Sequence, residues 1–179
     1  MRIAVATDHA GLPLKVVVAE WLAQAGHEVV DFGVDSPERV DYPDFIAPAA
    51  RAVAAGECRF GIVFGGSGTG EQIVANKIAR IRCVQATDPV TARLAREHND
   101  ANMMALGARI VGSQLAIGCV EAFLAGTFEG GRHLTRVQKI SALEAGGQAV
   151  SIDAPAIQGL SSPARPACSS GGRTSRKPR

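Results

Sequence analysis

The 179-residue chain is 46% hydrophobic and only 4% aromatic, which fits one globular domain whose core is built from Ala, Val, Ile and Leu. Its formal charge of +2 is concentrated near the end: residues 151–179 hold five of the 19 Lys+Arg and one of the 17 Asp+Glu, leaving 14 against 16 in residues 1–150. A mildly acidic body excludes nucleic-acid binding through bulk electrostatics. The four cysteines (Cys58, Cys83, Cys119, Cys168) are scattered without a C-x-x-C pair, which argues against a zinc site or a thioredoxin-type centre.

The opening residues "RIAVATD" form a β-branched apolar run that ends in Asp8, as a buried parallel strand does. From Leu12 to Ala25 the positions Leu14, Val17, Val18, Trp21, Leu22 and Ala25 recur at helical spacing, with Pro13 in the first turn and Gly26 as the stop. "HEVVDFG" reads as a second strand, and a helix runs from Pro43 to about Ala55. The strand "FGIVFGG" leads into a helix over about Thr69–Ala79, then the strand "RCVQAT" and a helix over about Pro89–Glu97. "MMALG" is a short fifth strand, followed by helices over Ser113–Leu124 and about Arg132–Ala145. Strands separated by helical segments of this length imply right-handed crossovers. The expected fold is α/β: a single-domain, doubly wound (Rossmann-like) sandwich with a five-stranded parallel sheet, over residues 1–146. Residues 147–179 are rich in Ser, Pro, Gly and Arg and read as a disordered extension. No apolar run approaches the ~18 residues a bilayer span needs, so a soluble cytoplasmic protein without a membrane partner is expected.

Ligands of open α/β sheets bind outside the carboxyl ends of the strands. The residues there are Asp8, His9 and Gly11; the turn "GGSGTGE" from Gly65 to Glu71; Thr87 and Asp88; and "EHNDAN" and Arg109 around the fifth strand. The glycine turn is neither the G-x-G-x-x-G fingerprint nor a P-loop. It supplies backbone N–H groups at a helix start, suited to an anion or a developing oxyanion. Glu71 in that first turn is a chemical group or a residue favoured by the helix dipole. Arg132 and Arg136, four apart on one helix face, can grip one phosphate dianion or form a solvated surface.

"DHAG" (8–11), "DYPDF" (41–45), "GGSGTGEQIVANK" (65–77), "REHNDANMMALGAR" (96–109) and "EGGRHLTRV" (129–137) together resemble the type B ribose-5-phosphate isomerase family, which includes galactose-6-phosphate isomerase subunits. The resemblance covers residues 1 to about 145. It implies aldose–ketose isomerisation of a sugar phosphate through an enediolate, without metal or organic cofactor. It also implies a homodimer or homotetramer with active sites between subunits, where "HND" and Arg109 come from the neighbour of the chain supplying Glu71. Carried over by position, Asp8 and His98 open the sugar ring, and His9, Arg109, Arg132 and Arg136 hold the phosphate. Asn99 contacts sugar hydroxyls and Tyr42 shapes the pocket. The backbone from Gly66 through Gly68 and Thr69 to Gly70 stabilises the enediolate oxygen. Many members carry a cysteine where this chain has Ser67; the resemblance is to the subgroup with Ser and a Glu four residues on, in which Glu71 is the base and Ser67 relays protons at the oxygens. A phosphate- or nucleotide-binding module needs the cations but not Glu71, Asp8 and His98 together. A thiol redox protein is disfavoured by the unpaired cysteines.

Overall fold

The computed structural model describes residues 1–146; the extension expected over 147–179, with Cys168, lies outside the described residues. Five parallel strands, β1 (Arg2–Thr7), β2 (Glu28–Asp31), β3 (Phe60–Gly65), β4 (Cys83–Gln85) and β5 (Met103–Gly107), form one sheet in the order β2-β1-β3-β5-β4. The helices are α1 (Leu12–Gln24), α2 (Pro43–Ala54), α3 (Thr69–Ala75), α4 (Pro89–Asn99), α5 (Ser113–Ala125) and α6 (Arg132–Glu144). No helix among the described residues is long and apolar enough to cross a membrane.

Successive side chains of a strand point to opposite faces, so β1 feeds two cores. Ile3 and Val5 pack with Leu14, Val18 and Leu22 of α1 and with Val120 and Phe123 of α5. Ala4 and Ala6 meet Ile46, Ala49, Ala50 and Val53 of α2 on the other face. Each Leu, Ile, Val or Phe fully buried there contributes about 1.5–3 kcal/mol. Small residues on the α2 side explain how a chain with few aromatics closes that layer. Cys58, Cys83 and Cys119 are free and buried, and burial pushes the Cys119 thiol up to about 11, with Asp88 adding repulsion. All three are core residues.

Helix α3 is shorter than expected, ending at Ala75. Its next residue, Asn76, donates from Nδ2 to the Cys83 carbonyl (2.8 Å) and accepts from the Cys83 N–H (2.8 Å). This side chain supplies the edge strand with a backbone-like pairing, so continuing the helix would cost two hydrogen bonds.

Lys15 on α1 is 4% exposed. Its ammonium donates to Asp31 Oδ2 (2.6 Å) and to the Val34 carbonyl (2.7 Å), fixing the start of the loop from β2 to α2. Lys15→Met is expected to lower stability by about 1–3 kcal/mol, because it orphans a buried carbonyl while water can re-solvate the half-exposed Asp31. Urea unfolding at unchanged m-value measures this.

Candidate active site

The chain leaves β1 towards α1 and leaves β3 towards α3 on the opposite face, so a crevice opens between their carboxyl ends. Asp8 closes the first turn: its Oδ1 accepts from the N–H groups of Ala10 (3.0 Å) and Gly11 (3.1 Å). A Cβ on Gly11 would lie 2.6 Å from Gly65 N and from the Phe64 carbonyl carbon, so only glycine lets this turn sit against β3. His9 follows, its Nδ1 3.7 Å from Asp8 Oδ2 and accepting a long bond from the Val40 N–H (3.5 Å).

Beyond β3, the turn passes through Gly68 at φ +82, a left-handed conformation natural to glycine. It delivers Glu71 in the first turn of α3, 4% exposed. A Cβ on Gly65 would overlap the Glu71 carboxylate, so the acid lies flat on strand backbone. Burial raises its pKa above the ordinary carboxylate value, and the charge of Asp8 pushes the same way against hydrogen bonds from backbone N–H groups. A Cβ on Gly70 would meet the Tyr42 ring at 2.8 Å, so the ring walls the turn.

Arg109 joins this group from the end of β5. Its N–H donates to the Gly66 carbonyl (3.0 Å), and its guanidinium carbon would be 3.3 Å from a Cβ on Gly66. Asp8, His9, Tyr42, Gly66, Ser67, Gly70, Glu71 and Arg109 thus line one cleft of about 440 Å³. Clefts of about 510 and 470 Å³ border α6, but neither contains a carboxylate beside an imidazole.

The expectation that Arg109 comes from the neighbouring subunit together with "HND" is corrected. Arg109 lies beside Glu71 of its own chain because it follows β5, whereas His98 and Asn99 precede it. Five residues of strand, about 16 Å, separate the two positions. His98 instead packs with α6. Its ring stacks on His133 at 4.2 Å between centroids and 5° between planes, and Glu129 Oε2 is 3.9 Å from His98 Nε2 and 3.7 Å from His133 Nε2. Arg132 and Arg136, exposed on α6, share this end of the molecule. The described chain therefore carries two half-sets at opposite strand ends: Asp8, His9, Tyr42, Ser67, Glu71 and Arg109 in the cleft, and His98, Asn99, Arg132 and Arg136 away from it.

His98, Glu129 and His133 have ligand-type atoms within 4.8 Å of one another. Parallel stacked imidazoles do not aim their in-plane lone pairs at a common point, so this arrangement is not a metal centre as it stands.

One contributor escaped the sequence reading. Gln85, the last residue of β4, donates from Nε2 to the Ser67 carbonyl (2.5 Å) and accepts from Thr69 Oγ1 (3.2 Å), bracing the glycine turn from outside. The strand-end rule applied to β4 itself, rather than to Thr87 and Asp88, finds it. Asp88 caps α4 instead, its Oδ1 accepting from the Thr91 N–H (2.8 Å).

The Ribose/Galactose Isomerase family model matches residues 3–140. Ribose-5-phosphate isomerase B of Escherichia coli K12 is 46% identical over 143 residues, covering 80% of this chain and 96% of the relative. The structure of Clostridium thermocellum ribose-5-phosphate isomerase B superposes with a TM-score of 0.81 at 49% identity, covering 82% of this chain and 99% of that one. Ribose-5-phosphate isomerase B of Mycoplasma genitalium, solved with bound ribulose 5-phosphate, gives 0.77 at 37% identity, covering 80% and 96%.

Proposed function

The chain belongs to the ribose/galactose isomerase family, and from that premise we propose that it interconverts ribose 5-phosphate and ribulose 5-phosphate with Glu71 as the general base. The observation that carries the assignment of the base is the buried Glu71 carboxylate at the floor of the cleft, its pKa raised by burial. A base for the proton α to a carbonyl works best when its pKa approaches the working pH.

In the forward reaction the sugar ring first opens. One of Asp8 and His98 takes the proton of the anomeric O1 as the C1–O4 bond breaks, and the other delivers a proton to O4. Glu71 then removes the C2 proton, and the electron pair forms the C1=C2 bond of an enediolate with charge on O1. The backbone N–H groups from Gly66 to Gly70 stabilise that charge. Glu71 returns its proton to C1, and Ser67 relays the proton that O2 loses and O1 gains. His9, Arg109, Arg132 and Arg136 hold the phosphate, Tyr42 shapes the cleft and Asn99 meets sugar hydroxyls. Every one of these steps is carried by side chains and backbone.

His98, Asn99, Arg132 and Arg136 reach such a cleft only from another chain, because their own cleft lies a strand length away. The assembly we infer is a homodimer, or a tetramer of two such dimers, working on a small soluble sugar phosphate in the cytoplasm. Assayed with ribose 5-phosphate well below the raised KM of the Arg136→Ala sites, mixing Glu71→Gln and Arg136→Ala chains is expected to restore up to about a quarter of wild-type activity, since random pairing makes half the dimers hybrids with one intact site. Absence of recovery in verified hybrids would place both residues in one chain's site. Alone, Arg136→Ala is expected to raise KM about 10- to 100-fold, the loss of one charge-assisted phosphate contact. An unchanged KM removes Arg136 from the phosphate site.

The direct test of substrate is kcat/KM for ribose 5-phosphate against allose 6-phosphate, galactose 6-phosphate and erythrulose 4-phosphate. A clear preference for ribose 5-phosphate is expected. Preference for another sugar would keep the chemistry and change the substrate, and no turnover of any would leave a binding module.

A further inference from the structure

His133 is 5% exposed on α6, between two residues to which the proposed mechanism gives separate roles. Its Nε2 accepts from Arg132 Nε at 3.3 Å. An imidazole nitrogen that accepts from a guanidinium is unprotonated, so the ring is neutral with its proton on Nδ1. Its face lies parallel to His98 at 4.2 Å. Burial and the charges of His98, Arg132 and Arg136 all lower the His133 pKa, with Glu129 alone opposing them. The neutral form is therefore the one this environment selects.

We propose that His133 is a positioning residue for both halves of the reaction, orienting the phosphate-gripping Arg132 through its Nε2 lone pair and the ring-opening His98 through its stacked face. This rests on the assignment of Arg132 and His98 to the site. The hydrogen bond on Nε fixes the guanidinium plane and leaves its terminal nitrogens for the phosphate. The stack limits rotation of His98, whose side chain is 35% exposed and lies 3.9 Å from the Glu129 carboxylate. Glu129 completes the unit; its backbone N–H donates to the Glu97 carbonyl at 3.0 Å, tying the loop before α6 to the helix that carries His98.

Two substitutions separate the two actions. His133→Gln keeps an acceptor near the Nε2 position and loses the ring, whereas His133→Phe keeps a flat ring and loses the acceptor. Ribulose 5-phosphate is open-chain, because its 5-oxygen carries the phosphate, so turnover from that side bypasses ring opening. For His133→Gln, kcat with ribose 5-phosphate is expected to fall about tenfold or more through misplacement of His98, while kcat with ribulose 5-phosphate stays within about twofold. For His133→Phe, KM is expected to rise about tenfold for both sugars, as one charge-assisted contact is lost. A merely structural histidine would not produce this split between directions and parameters.

Circular dichroism and sedimentation establish that each variant is folded and assembled. If both are, and both keep wild-type kinetics within twofold in either direction while His98→Asn and Arg132→Ala lose activity, the inference is overturned and the site assignment stands. If His98→Asn and Arg132→Ala are themselves unaffected, the site assignment fails first. The imidazole ¹⁵N spectrum of the wild-type protein reads the tautomer without any substitution. An unprotonated Nε2 on His133 near neutral pH is expected, and a protonated one overturns its role as acceptor.

Discussion

Replacing Glu71 with Gln is expected to lower kcat for ribose 5-phosphate by at least about 100-fold, the scale of losing a general base, with KM close to wild type. The amide keeps the shape and burial of the side chain against Gly65, so binding is spared, but it cannot accept the C2 proton. The pH profile carries the same signature. Glu71 must be ionised to act, and burial with Asp8 beside it raises its pKa. Activity in kcat is therefore lost as pH falls through a value above the ordinary carboxylate range, and this acid limb is absent from the residual activity of the Gln variant. A variant that keeps most of its kcat removes Glu71 as base.

Gly65→Ala is expected to inactivate nearly as fully without touching an ionisable group. The new methyl would occupy the space of the Glu71 carboxylate, and Gly65 is held in register with Gly107 on β5, so the strand cannot retreat. The carboxylate moves instead. A displacement of about 1 Å at a reacting group costs about 100-fold in rate, and overpacking a close-packed site costs about 1–3 kcal/mol of stability. Denaturation and kinetics separate the two: a folded but inactive protein is expected. Wild-type kcat in Gly65→Ala would show that the carboxylate does not work from against the strand.

The order of the elements was legible because apolar runs bounded by turn residues give parallel strands little latitude; "MMALG" coincides with β5. Boundaries set by a single side chain were not, as at Asn76, whose pairing with Cys83 ends α3. The candidate residues were visible as types, since ligands of open sheets meet the strand ends, although that rule also picked out Asp88, which caps α4. Their partition was harder to see. His98 and Arg109 are eleven positions apart and read as one cluster, yet β5 runs between them. Lys15 and Gln85 gave no signal of their own, because each acts on a backbone carbonyl brought near only by the fold.

The measurement closest to the central claim is the fate of the C2 hydrogen. Ribose 5-phosphate deuterated at C2, turned over by the wild-type protein in ordinary water, is expected to show a primary isotope effect on kcat and to lose deuterium to solvent as ribulose 5-phosphate forms. A carboxylate that carries the proton between C2 and C1 gives it opportunities to exchange. Complete transfer of deuterium from C2 to C1, retained through prolonged cycling, would contradict proton abstraction by Glu71 and indicate a direct hydride shift.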